Sequence, residues 1–200
     1  MCLTLFAHDL HPKYKLILTN NRDELQARPT ATADYWEENP AILAGRDLTA
    51  GGTWLGIHKM NGRLSNITNY RDFRIPLIKD APSRGDLTTC FLKGTDNATA
   101  YLKALLPTAA SYNGFNLLLR QGDELAWFSN IENQIRILNP GVYGFSNALL
   151  DTPWPKVEKG KAFMQSLLAR DDWTGVGLFY LSYFILSIVL LLISILNLYS

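Results

Sequence analysis

Cys2 to Glu24 read CLTLFAHDLHPKYKLILTNNRDE, and the fold turns on this stretch. Two apolar runs, CLTLFAH at 2–8 and YKLILTN at 14–20, flank HDLHPK, whose Pro12 marks a turn. The pattern predicts a β-hairpin. Its second strand ends in a dense polar cluster, Thr19-Asn20-Asn21-Arg22-Asp23-Glu24, where a purely structural strand would end in a simple turn. Its first strand begins on a cysteine placed directly after the initiator methionine.

That placement carries a chemical option. Methionine is trimmed ahead of a small residue, which would make Cys2 the N-terminus, with a thiol and a free α-amine on one residue. The amine titrates at about 7.7–8.0 and can serve as base for its own thiol, so no separate histidine is needed. Arg22 and Asp23 are suited to holding an ammonium or a thiolate by charge-assisted hydrogen bonds. The ordinary reading of the same residues is a small strand residue at position 2 and a surface ion pair.

Outward from the hairpin, Ala41–Ala44 and TWLGIH at 53–58 read as strands separated by GRDLTAGG, and GRLSNITN at 62–69 pairs with TWLGIH through Met60-Asn61-Gly62. Two helices follow: RGDLTTCFLKG, with Ser83 as its N-cap, and NATAYLKALL, with Asp96 as its N-cap and Pro107 as its stop. Four strand-like runs come next, YNGFNLLLR, ELAWFSN, QIRILN and VYGFSN, then an amphipathic helix over Pro155–Arg170. This order predicts an α+β domain with mainly antiparallel sheets. Asn69 and Asn147 each stand near a strand end, where an amide N–H can stabilise an oxyanion or merely close a turn.

Composition narrows the function. The 200 residues carry 19 Lys plus Arg against 18 Asp plus Glu, a net charge of +1, with no block of like charge. Nucleic-acid binding by bulk charge is excluded, and the 48% hydrophobic share excludes a disordered chain. Two cysteines and three histidines, without an HxxxH pair, point to no metal site and no cofactor. All 37 charged residues lie within the first 172 positions, so a domain over 1–172 is followed by an uncharged tail, 173–200. Residues 176–199 are 24 uncharged positions. As a helix they would span roughly 36 Å, enough to cross a hydrocarbon core of about 30 Å. The tail reads as a C-terminal membrane contact, as a buried element of the domain, or as an altered C-terminus.

Taken in order, the motifs form a set: Met-Cys at the start, N-R-D-E at 21–24, G-R-D at 45–47, G-G-T-W-L-G at 51–56, T-N-Y-R-D at 68–72, S-R-G at 83–85, S-N at 146–147 and P-W-P-K-V at 153–157. The set resembles the NRDE family, the family of transport and Golgi organisation protein 2, over roughly residues 1–170, and the match stops after Gly177. That family is similar to N-terminal-nucleophile hydrolases. The resemblance implies a four-layer αββα sandwich, incomplete at its C-terminal end. It also implies Cys2 as the nucleophile, Asp23 as the group that orients it and Asn69 and Asn147 as oxyanion donors, with Arg22 beside them.

Two functional readings follow from the resemblance. One is a cysteine amidase or acyltransferase acting on a small acyl, amide or lipid-like molecule. The other is a lipid- or haem-handling or trafficking protein that keeps the scaffold without turnover. The expected location is the cytoplasm, with mitochondrion or Golgi/ER membrane reached through the tail.

Overall fold

The predicted hairpin is present in the computed structural model, which describes residues 2–25, 27–170 and the backbone of 189–193. In chain order the elements are β1 (Leu3–His8), β2 (Leu16–Asn21), β3 (Thr30–Trp36), β4 (Asn39–Asp47), β5 (Leu55–His58) and β6 (Arg63–Asn69). Then come α1 (Arg84–Lys93), α2 (Ala98–Leu105), β7 (Phe115–Gln121), β8 (Glu124–Ser129), β9 (Gln134–Ile137), β10 (Gly141–Phe145), α3 (Pro155–Leu168) and β11 (Val189–Ile193). Among the described residues every strand pairing is antiparallel. The α+β class expected from the sequence is the class observed.

By contacts the chain forms two compact units. The first joins residues up to Asp23 with those from Asn139 onward. Its four-stranded sheet has the order β10-β1-β2-β11. Leu3, Leu5, Ala7 and Ile17 point to one face, where Val157 and Met164 of α3 close a small core. The alternate residues Thr4, Phe6, Leu16 and Leu18 are buried as well, so β1 and β2 are covered on both faces. Continuous burial explains why these strands read as unbroken apolar runs rather than as alternation.

The second unit, Glu24–Leu138, is a seven-stranded meander in the order β3-β4-β5-β6-β7-β8-β9. Its turns use left-handed backbone at Gly62 (φ 66°), Gly122 (φ 59°) and Asn133 (φ 53°). Ile67, Phe115, Leu117, Leu119, Ala126 and Phe128 meet Leu87 and Phe91 of α1 and Leu102 and Leu105 of α2 in one core. Fully burying each such side chain stabilises the fold by about 1.5–3 kcal/mol. Arg63 is buried here too, with its Nε donating to the Phe91 carbonyl at 2.9 Å and its guanidinium stacked 4.0 Å from the Phe91 ring. The other face of β6–β8 carries buried polar groups, among them Asn66, Thr68, Asn116 and Ser129.

Each unit therefore supplies a sheet with helix against one face, α3 in the first and α1 and α2 in the second, and with both faces of its central strands buried, as an αββα architecture requires of each half.

Several boundaries differ from expectation. The α2 N-cap is Asn97, not Asp96: the Asn97 side chain accepts from the Ala100 amide at 2.7 Å. Ser83 holds the α1 N-cap position without a side-chain cap bond. β4 runs on through Asp47, inside the stretch read as a loop, and β5 starts only at Leu55. β3 has no counterpart in the sequence reading. It is an edge strand exposed along most of its length, so it lacks an apolar run to announce it. Within the expected membrane segment 176–199, Val189–Ile193 pair with β2 as β11, and the remainder lies outside the described residues. Among the described residues no helix is long and apolar enough to cross a membrane.

Candidate active site

The register of the first unit assembles the site. Leu3 pairs with Asn21 and Thr4 with Phe145, so the start of β1 lies between the ends of β2 and β10. Whatever precedes β1 and follows β2 and β10 is thereby gathered at one end of the sheet. Those residues are Cys2, Arg22, Asp23, Ser146 and Asn147. Four of the five residues expected at the site thus share one sheet end.

Cys2 is half-buried, and its Sγ lies 3.9 Å from the Asp23 carbonyl oxygen. The Asp23 carboxylate is steadied by Asn21, whose Nδ2 donates to Oδ1 at 2.9 Å. Asn20, buried on β2, donates through Nδ2 to Thr4 Oγ1 at 2.9 Å and fastens β1 beside the cysteine. Asn147 is buried just beyond β10.

The backbone of Cys2 is also held. The Ser146 hydroxyl and the Lys156 ammonium, the latter at 3.2 Å, both donate to the Cys2 carbonyl oxygen. Pro155 starts α3, and Lys156 follows at its second position, with its Nζ 5.4 Å from the centre of the Trp154 ring. Burial pushes the Lys156 ammonium below the usual lysine range, and the charge of a Cys2 thiolate acts in the opposite sense. That coupling is reciprocal: a thiolate that favours Lys156 as an ammonium is itself favoured by that ammonium. Ser146, Lys156, Asn20 and Asn21 were not singled out by sequence reasoning as site residues. Lys156 sits within P-W-P-K-V, but nothing in the sequence shows that the start of α3 returns to β1.

Asn69 belongs to the seven-stranded unit, half-buried at the end of β6 opposite Phe115. With Tyr70, Arg71 and Asp72 it borders a cavity of about 510 Å³. Arg74 grips Asp72 through two side-chain bonds, at 2.9 and 2.7 Å, and holds its carboxyl down at about 2.

The glycine-rich motifs prove architectural. A Cβ on Gly52 would stand 2.7 Å from the backbone of Gly85, so G-G-T-W at 51–54 and S-R-G at 83–85 mark one close backbone crossing. A Cβ on Gly45 would stand 2.6 Å from the Trp54 ring. Asp47 ties the intervening loop: Oδ1 accepts from the Thr49 and Ala50 amides, and Oδ2 accepts from Arg28 Nε at 2.8 Å. Among the described residues no three His, Cys, Asp or Glu gather in a group able to hold a metal ion.

The chain matches the Transport and Golgi organisation 2 family over residues 1–178. It is 41% identical over 185 residues to the mouse (Mus musculus) Transport and Golgi organization 2 homolog, covering 86% of this chain and 66% of that protein. It is 40% identical over 185 residues to the human (Homo sapiens) homolog, covering 86% and 66% respectively. The chain thus spans about 66% of the length of these relatives. A solved structure, the Caenorhabditis elegans N-acylethanolamine-hydrolyzing acid amidase ortholog, is similar with a TM-score of 0.49 at 7% identity, covering 90% of this chain and 85% of that one. By the family match and by identity to these relatives, the chain belongs to the Transport and Golgi organisation 2 family.

Proposed function

We propose that this protein is a cysteine N-terminal-nucleophile amidase or acyltransferase that acts on a small acyl, amide or thioester substrate. The observation that carries the reading is the meeting of Cys2 with Asp23, Asn147 and Lys156 at one end of the four-stranded sheet. Once Met1 is removed, the α-amine of Cys2 takes the thiol proton and the thiolate attacks the substrate carbonyl carbon. A C–S bond forms and the carbonyl electron pair moves onto oxygen. Asn147 supplies a side-chain N–H toward that oxyanion. Collapse of the intermediate breaks the bond to the leaving group, which departs with the proton from the ammonium, and a thioester remains on Cys2. Water, or an acceptor nucleophile, then attacks the thioester; the amine accepts its proton and returns it to the departing thiolate. Asp23, fixed by Asn21, holds the mature ammonium in place.

Replacing Cys2 with Ala abolishes turnover of amide and thioester substrates while leaving circular dichroism and the denaturation midpoint unchanged. Turnover that survives Cys2→Ala contradicts the reading. The family name supports a second reading, a part in secretory traffic without turnover. An intact but unreactive Cys2 in the processed protein favours it.

A further inference from the structure

The cavity of the seven-stranded unit has a build that the Cys2 chemistry does not use. One wall is the segment from Arg71 to Leu77. Phe73 is 99% exposed and Leu77 82%, and Ile75 is exposed as well, although all three border the same concavity. Large apolar side chains left in water around a hollow are stabilised when an apolar body fills it. The wall is held in shape rather than loose. Asn113 clasps Ile78 twice, its Oδ1 accepting from the Ile78 amide at 2.8 Å and its Nδ2 donating to the Ile78 carbonyl at 3.2 Å. Asp72 and Arg74 lock the near end of the segment, and the Ile75 amide donates to the Asp72 carbonyl at 3.0 Å. An apolar surface kept in place while exposed is preorganised for a ligand.

The charges narrow the ligand further. Asp72, the carboxylate on this lining, is neutralised by Arg74. Arg71 borders the cavity with no ion-pair partner among the described residues, and Arg84 borders it as well, giving one N–H to the Gly114 carbonyl at 3.1 Å. A neutral lipid would forgo the charge-assisted contact that the exposed Arg71 offers, and a small hydrophilic anion would leave Phe73 and Leu77 in water.

We propose that this cavity binds an amphiphilic anion, an aliphatic chain ending in a carboxylate, with the chain against Phe73, Ile75 and Leu77 and the carboxylate on Arg71. Asn69, which the resemblance implies as an oxyanion donor, borders the same cavity, but the proposed contacts at Arg71, Phe73, Ile75 and Leu77 use none of the Cys2 chemistry.

The test is photo-crosslinking of the full-length protein with a diazirine-bearing analogue of lauric acid, kept below its micelle concentration, and with the matching lauryl alcohol. Crosslinks are then mapped by peptide mass spectrometry. The carboxylate is expected to label peptides spanning 70–78 and 113–114. Arg71→Gln should weaken carboxylate labelling by about tenfold and leave alcohol labelling unchanged, since it removes one charge-assisted contact from an exposed position. Leu77→Ser should weaken both probes. Cys2→Ala should leave both unchanged, which separates failure at this site from failure at Cys2. Labelling confined to other segments, such as 173–200, overturns the proposal. So does a carboxylate-to-alcohol ratio that Arg71→Gln leaves unaltered.

Discussion

At the residue scale the account rests on how Cys2 is held. Its carbonyl accepts from Ser146 and Lys156, its Sγ lies against the Asp23 carbonyl, and Asn21 fixes the Asp23 carboxylate. Because the Lys156 ammonium and a Cys2 thiolate favour each other, Lys156→Met should raise the pH at which Cys2 becomes nucleophilic. Near neutral pH the alkylation of Cys2 should slow by about threefold or more, while Cys90 alkylation stays unchanged. An unchanged pH profile at Cys2 removes Lys156 from the site. Burial has already pushed Lys156 below the ordinary lysine range, so its help to the thiolate fades as pH rises through that lowered value. Cys2 and Asp23 are legible in the sequence because adjacency to the initiator methionine and a polar cluster at a strand end are local signals. Lys156 is not, because its role depends on α3 meeting the start of β1 across 154 residues.

At the element scale the motifs divide into chemistry and architecture. Gly52 meets Gly85 backbone to backbone, so Gly52→Ala should destabilise the protein by about 1–3 kcal/mol through overpacking, read as a lower urea midpoint. A midpoint equal to that of the parent would show that the crossing is not tight. Asn97→Ala removes the α2 cap and should cost about 1 kcal/mol by the same measurement, whereas Asp96→Ala should cost less. That pair of variants tests the corrected cap. The hairpin and β6–β9 were legible because apolar runs bounded by turn residues carry their own signal. β3 was not: its TATADYW, exposed along most of its length but buried at Trp36, is set mainly by pairing with β4. The spacing of the four strand runs after Tyr112 also conceals that β10 leaves the meander and pairs with β1 instead.

At the scale of the whole molecule, stability should depend on acid in a defined sense. Asp9, Glu38, Asp47 and Asp72 are all held below ordinary carboxylate values. For Asp72 and Asp9 the leading cause is a hydrogen bond from a cation, Arg74 and Lys15 respectively; for Glu38 it is a backbone hydrogen bond. At Asp47 burial opposes the shift, but bonds from Arg28 and two backbone amides prevail. Folded values below unfolded ones mean that the stabilisation is complete only above the unfolded values, from about pH 5 upward, and is lost as pH falls through the folded values. The urea midpoint should therefore drop between about pH 5 and pH 2, and a flat profile across that window contradicts the assignment. The central claim is that processing turns Cys2 into the reactive N-terminus of the protein. It is tested most directly by intact-mass and N-terminal peptide mass spectrometry after a short pulse of a thiol-directed electrophile. The account predicts a chain that begins at Cys2 and is labelled there ahead of Cys90, although Cys90 is the more exposed of the two thiols. A retained Met1, or a processed Cys2 labelled no faster than Cys90, would contradict it.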